Sequence, residues 1–148
     1  MSFIAVEAAI AERLTLKLTS LEPKPSVHRA YDLANAQTRS HRDVSVYVAY
    51  NGITEVGDPG HNVASIAWTD HEFLIWVVAK SGREFQSGAG TREKADPVID
   101  RVLESLLGWV VDGHPLRIAQ SPGPVYDPDG FGYFPLVFVQ RRHVRGIK

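Results

Sequence analysis

The segment Val63 to Lys80 (VASIAWTDHEFLIWVVAK) reads as extended chain over eighteen residues. At about 3.3 Å per residue it would span roughly 60 Å. A compact domain of 148 residues has a radius of gyration of only about 15 Å. Part of such a strand must project, bend or be shared with a neighbour. A two-stranded ribbon alone is marginal in water, so a projecting one calls for a partner surface. Assembly, rather than catalysis, is therefore the leading expectation.

The segment changes character partway. Thr69-Asp70-His71-Glu72 is polar, whereas Phe73 to Ala79 is apolar at every position, as expected of a central strand covered on both faces. The second half reads as core and the first half as the projection. Upstream, Val44 to Tyr50 alternates, with Val44, Val46, Val48 and Tyr50 on one face and Ser45, Tyr47 and Ala49 on the other. Turn chemistry at Asn51-Gly52 and Asp58-Pro59-Gly60 makes residues 51–62 a hairpin connection with extra pairing around Ile53 to Val56. The projecting hairpin is expected at about residues 50–68.

Two helices are predicted. Phe3, Val6, Ile10, Leu14, Leu18 and Leu21 recur every three or four residues, and Glu7, Glu12, Arg13 and Lys17 fall largely off that stripe. Ser2 is placed to cap this helix, and Glu22-Pro23-Lys24-Pro25 stops it. A short strand around Val27 to Tyr31 follows, then a polar loop, Asn35 to Asp43, holding Arg39, His41 and Arg42. Ser81 to Lys94 (SGREFQSGAGTREK) is glycine-rich and charged, and is expected to be mobile in the isolated chain. Asp96-Pro97 then reads as N-cap and first residue of the second helix, whose stripe is Val98, Ile99, Val102, Leu103, Leu106, Leu107 and Val110. Leu116 to Ala119, a proline-glycine turn and Tyr133 to Val144 complete the chain, with Pro135 expected at a strand start or edge. The expected fold is a single α+β domain over residues 1–148, with a mixed, mainly antiparallel sheet, a long β-hairpin and two helices on one face, in the order α-β-β-β-α-β-β.

Charge and composition exclude several classes. Sixteen basic against seventeen acidic residues argue against the basic surface that drives non-specific DNA binding. The absence of cysteine removes disulfides and thiolate metal sites. The N-terminus lacks a positive leader and the best apolar window is seven residues, far short of a membrane helix. A soluble protein made inside the cell is expected.

No motif carries chemistry. Gly88-Ala89-Gly90-Thr91 begins like a dinucleotide fingerprint but lacks the third glycine and a strand-to-helix turn. Asp127-Pro128-Asp129-Gly130 begins like a calcium loop but lacks the closing glutamate, and turn chemistry accounts for it. The six histidines form no metal-binding helical pair. Asp70 and His71 are adjacent strand residues and point to opposite faces, so they read as surface polar groups rather than a catalytic pair. Catalytic, cofactor and metal residues are all expected to be absent. Arg141, Arg142, His143, Arg145 and Lys148 form the one clear basic cluster, either a solvated tail or a contact for phosphates or an acidic neighbouring subunit.

Several patterns together resemble the tail terminator (tail-completion) proteins of long-tailed phages, in particular the Mu-like branch. They are the helix F-x-A-x-E-x-A-I-x-x-R-L (Phe3 to Leu14), the strand and turn V-x-V-x-Y-x-G (Val46 to Gly52) and the aromatic strand His71 to Ala79. The helix I-D-x-V-L-x-x-L-L-G (Ile99 to Gly108) and the final strand LVFVQRR complete the set. The resemblance implies a structural virion protein, assembled in the host cytoplasm, that forms a hexameric ring at the head-proximal end of the tail. Such a ring caps the tail tube, stops its polymerisation and docks the head through a neck connector. Implied partners are further copies of the chain, the tail tube protein, the head-tail connector and a sheath, with genomic DNA passing through the lumen unrecognised. No enzymatic residue, cofactor or membrane contact is implied.

Interface candidates are Arg39, His41 and Arg42 in the polar loop and Ile53, Val56, Ile66 and Trp68 on the ribbon. Arg83, Phe85 and Arg92 in the glycine-rich segment and Arg141 and Arg142 near the C-terminus complete them. The alternatives are a neck or head-completion connector and, from another class, a small hydrolase or ligand-binding domain built from histidines and acids gathered by the fold. A DNA-binding module is disfavoured by the charge balance.

Overall fold

The computed structural model describes residues 2–29, 44–56, 66–80 and 89–147. Helix α1 (Phe3–Lys17) is followed by β1 (Ser26–Arg29), β2 (Val44–Glu55) and β3 (Ile66–Lys80). Helix α2 (Ala89–Leu106) precedes β4 (Val110–Val111), β5 (His114–Ile118), β6 (Val125–Tyr126) and β7 (Phe131–Arg145). The seven strands form one sheet in the order β1-β2-β3-β7-β5-β4, with β6 also on β7. Among the described residues, β1 and β2 pair in parallel and the other pairings are antiparallel. The fold is α+β with the predicted element order, to which the two-residue strands β4 and β6 are added. Of the strand predicted at Val27 to Tyr31, residues 27–29 belong to β1 (Ser26–Arg29), and residues 30 and 31 lie outside the described residues.

Residue patterning explains the layers. Ser2 caps α1, its Oγ accepting from the Ala5 N–H at 3.2 Å. Val6, Ile10, Leu14 and Leu18 turn inward and are completely buried. They meet Val98, Val102 and Leu106 of α2 over Val46 and Val48 of β2, Phe73, Ile75 and Val77 of β3 and Phe138 of β7. Both helices thus share one face of the sheet. On the other face Tyr47, Val78 and Tyr133 form a second buried cluster with Trp76 and Phe131 against it. Strand β3 between Phe73 and Ala79 is covered twice, as its continuous apolar run requires.

The centre of the sheet is the pairing of β3 with β7, each fifteen residues long. Their register runs unbroken from Ile66 opposite Arg145 to Lys80 opposite Phe131. Strand β2 lies along the other side of β3, from Val44 opposite Ala79 to Glu55 opposite Thr69, with a bulge at Asn51. Gly52, at φ +104°, supplies the left-handed backbone that the bulge needs. The expected long hairpin of β2 and β3 is present, and β7, continuing to Arg145, adds a third strand that flanks β3 to its start. Residues 57–65, which include the hairpin tip, lie outside the described residues.

The start of α2 also differs from expectation. The helix begins at Ala89, and Pro97 lies within it. Asp96-Pro97 carries a strong start signal, but the residues before it have their own inward stripe, Thr91 and Ala95, both buried. Those buried contacts outweigh the one hydrogen bond that an interior proline forfeits. Of the segment 81–94 expected to be mobile, residues 89–94 are helical and 81–88 lie outside the described residues. Pro135 sits in β7 opposite Trp76, where the outer side of β7 falls between the stretches paired by β6 and β5. Two residues on, Val137 bonds outward to Ser121 Oγ and Ala119 rather than to a strand. The missing N–H of Pro135 points the same way and costs no ladder bond.

The first turn of α2 is set directly on β7. A methyl group at Gly132 would lie 2.7 Å from Thr91 Oγ1 and 2.9 Å from Thr91 Cβ, closer than packed atoms sit. Gly132→Ala is expected to lower unfolding stability by about 1–3 kcal/mol, the ordinary cost of overpacking. Urea denaturation of the variant beside the wild type checks this, and equal midpoints would show that α2 is not seated there.

Candidate functional site

The outer ribbon consists of Gly52–Glu55, Ile66–His71 and Gln140–Arg145, and it is anchored by polar residues at its root. His71 is 2% exposed. Its ring stacks on Phe3 at 3.9 Å and 14°. Its Nε2 is 3.0 Å from Thr69 Oγ1, and its Nδ1 is 3.3 Å from the Tyr50 hydroxyl. Thr69 Oγ1 donates in turn to the Arg142 carbonyl at 3.4 Å. The chain closes when neutral His71 donates from Nε2 and accepts at Nδ1 from Tyr50. Burial holds the His71 pKa below its usual value, and Arg142 adds to this while Asp70 offsets it in part.

Gln140 is the second anchor and is completely buried. Its Nε2 donates to the carbonyls of Val111 (2.7 Å) and His114 (3.1 Å). Its Oε1 accepts from Arg142 Nε and Nη2 at 2.9 and 2.6 Å. Arg142 also pairs with Asp112 at 3.1 Å and lies 5.1 Å from the Phe3 ring centroid. The β4–β5 turn, β7 and the start of α1 are thereby tied at one point, with every amide group of Gln140 used. Glu7 forms a third anchor, accepting from Arg29 Nε at 2.8 Å and from the Tyr50 N–H at 2.7 Å. Tyr50 lies beyond Val48, the last residue paired by β1, so Glu7 meets a backbone donor that β1 leaves open.

The opposite face of the ribbon is cationic. Asp70 accepts both Nε and Nη2 of Arg141, at 2.9 and 3.1 Å, with Arg117 3.6 Å away. Trp68 stands against His143, their ring centroids 4.8 Å apart, and remains 45% exposed. On the helix-bearing face, beyond Phe3 and His71, Ile53 and Val144 are 57% and 46% exposed. The outer ribbon therefore offers apolar side chains on both faces, beside arginines on one.

The sequence candidates divide accordingly. Ile53, Val56, Ile66, Trp68, Arg141 and Arg142 converge on the ribbon, with the Val56 N–H donating to the Trp68 carbonyl at 3.0 Å. Arg141 and Arg142 point to opposite faces, and Arg142 turns inward to Gln140. Arg92 belongs to α2 and donates to the Tyr126 hydroxyl at 2.8 Å. Arg39, His41, Arg42, Arg83 and Phe85 lie outside the described residues. Asp70 and His71 do face opposite ways, but His71 is buried, which corrects its reading as a surface residue, and Thr69 beside it is buried too. Glu7, Gln140 and Arg117 were not singled out by sequence; Glu7, expected off the apolar stripe of α1, is buried on it, and a lone polar residue in an apolar strand pattern is the one signal that marked Gln140. Asp127 accepts from the Asp129 N–H at 2.6 Å and closes a turn into β7. Among the described residues, no group of three or more histidines and acids converges to hold a metal. No described helix is long and apolar enough to cross a membrane.

Residues 1–147 match the model of the family described as phage tail terminator protein. A solved structure of the virion of a native gene transfer agent particle contains a similar chain, at 18% identity and TM-score 0.50 over 95% of this chain and 94% of that one. A second solved structure is similar at 16% identity and TM-score 0.51, covering 100% and 98% of the two chains. At such identities these likenesses concern the fold alone. No curated protein matches the chain.

The polar root makes a pH-dependent contribution to stability. Because the folded pKa of His71 is lowered, the unfolded chain takes up its proton first as pH falls below about 6.5. Stability present above that pH is then lost progressively toward the folded pKa. Urea midpoints of wild type and His71→Gln at pH 7.5 and 5.5 should show a smaller acid-induced drop in the variant. Equal drops would remove His71 as the titrating group.

Proposed function

Because the chain belongs to the phage tail terminator family, a family of structural tail proteins and not of enzymes, we propose that it closes into a ring at the head-proximal end of the tail. There it caps the tail tube, stops further polymerisation and presents the surface on which the neck connector docks. The motifs of α1 and β2 favour the Mu-like branch, and a hexamer is the assembly we assign. Its partners in this reading are further copies of itself, the tube protein, the connector and, in a contractile tail, the sheath. DNA passes through the lumen without base recognition.

The observation that carries this reading is the three-stranded outer ribbon. A structural subunit needs a stiff contact element exposing apolar surface, and Trp68, Ile53 and Val144 supply it on strands held at their root by Gln140 and His71. Exposed aromatic anchors are where interface energy concentrates. Three paired strands resist bending better than a hairpin alone.

The test is assembly on a tube. Added to polymerising tail tube protein, the wild-type chain is expected to arrest growth and to appear at one tube end in electron micrographs. The double variant Trp68→Ser with Ile53→Ser is expected to keep its circular dichroism spectrum and thermal midpoint to within a few degrees, since both side chains are exposed, while losing arrest by about tenfold or more in the concentration required. A wild-type chain that stays monomeric and never meets a tube end would sink the reading. A chain found only on the head side of the neck would make it a connector instead.

A further inference from the structure

The outward face of α2 carries Glu93, Asp96, Asp100 and Glu104, all exposed. At about 100° per residue they fall on one line, diametrically opposite the buried stripe Ala95, Val98, Val102 and Leu106. Arg92 and Lys94 flank the start of this line but turn aside, to Tyr126 and to the Lys80 carbonyl. Arg101 lies 3.5 Å from Glu104. Glu93, Asp96 and Asp100 make no ion pair among the described residues.

The face of the ribbon turned away from α1 and α2 has the opposite character. Arg117, Arg141, His143 and Arg145 lie on it, beside Trp68. The Asp70 carboxylate is shared between Arg141 and Arg117, and Glu72 is held by Asn51 Nδ2 at 3.2 Å. Arg145 and His143 are exposed at the outer end. Pairing by β5 stops at Gln140.

Geometry forbids an internal match between these patches. Helix α2 packs on one face of the sheet, and Trp68, Arg141 and Arg145 project from the other. A chain cannot fold its ribbon onto its own α2, so complementarity can be satisfied only between molecules. The two patches differ, so the contact is head-to-tail, the kind that closes rings. We propose that the basic outer end of the ribbon of one copy docks across the acidic stripe of α2 on the next, with Trp68 as its apolar anchor. This rests on the reading of the chain as a ring former and assigns the two surfaces of its subunit contact.

Charge reversal and its repair test the assignment. Sedimentation of the full chain would compare wild type, Asp96→Lys with Asp100→Lys, Arg145→Glu, and all three changes combined. Each one-sided reversal is expected to weaken self-association by about tenfold or more, and the combined chain is expected to recover most of it. Added salt is expected to weaken wild-type association. The neutral set Asp96→Asn, Asp100→Asn and Arg145→Gln, showing smaller losses in the same order, keeps the test decisive if a reversal disturbs folding. Wild-type assembly that is indifferent to these changes, or a combined chain that fails to recover, overturns this contact and leaves the ring reading standing. A wild-type chain that never self-associates overturns both.

Discussion

The rest of the structure hangs on the ladder between β3 and β7. Fifteen residues on each side pair without a register break, and this one pairing serves two purposes along its length. Over Phe73 to Ala79 it is the middle of the core, with helices on one face and the tyrosine cluster on the other. Over Ile66 to His71 the same strands run past the first residue of α1. The outer part inherits its rigidity from the inner part, because a register fixed by buried Phe73, Ile75 and Val77 cannot slip without turning every side chain to the wrong face.

Where the ladder leaves the core, polar side chains take over from apolar ones. Gln140 stands where the strand pattern calls for another Phe or Val, and it repays its burial by using its whole amide. His71 does the same between Phe3, Thr69 and Tyr50. These bonds differ from hydrophobic contacts in being directional. They hold the outer strands against the start of α1 and the β4–β5 turn.

Much of this was legible in the sequence, and the failures have definite causes. The alternation of Val44 to Tyr50, the apolar run of Phe73 to Ala79 and the stripe of α1 were readable because hydrophobic periodicity is a local signal. The third strand reads as a strand as far as Val144, but its place beside β3 was not legible, because pairing of Ile66–Asp70 with Arg141–Arg145 joins residues more than seventy positions apart. Asp96-Pro97 misled for a similar reason: a strong local start signal is overridden by the burial of Thr91 against Gly132. His71 reads as a surface group in the sequence because its partners, Phe3 and Tyr50, come from elsewhere in the chain.

The bulge at Asn51 sets which side of the ribbon each later residue of β2 occupies. Without the extra residue, Ile53 would stand opposite Asp70 rather than His71 and would share a face with Trp68. With it, the two large exposed side chains are parted by the thickness of the sheet. A single inserted residue therefore divides what would be one broad apolar surface into two smaller ones, one on each face of the ribbon.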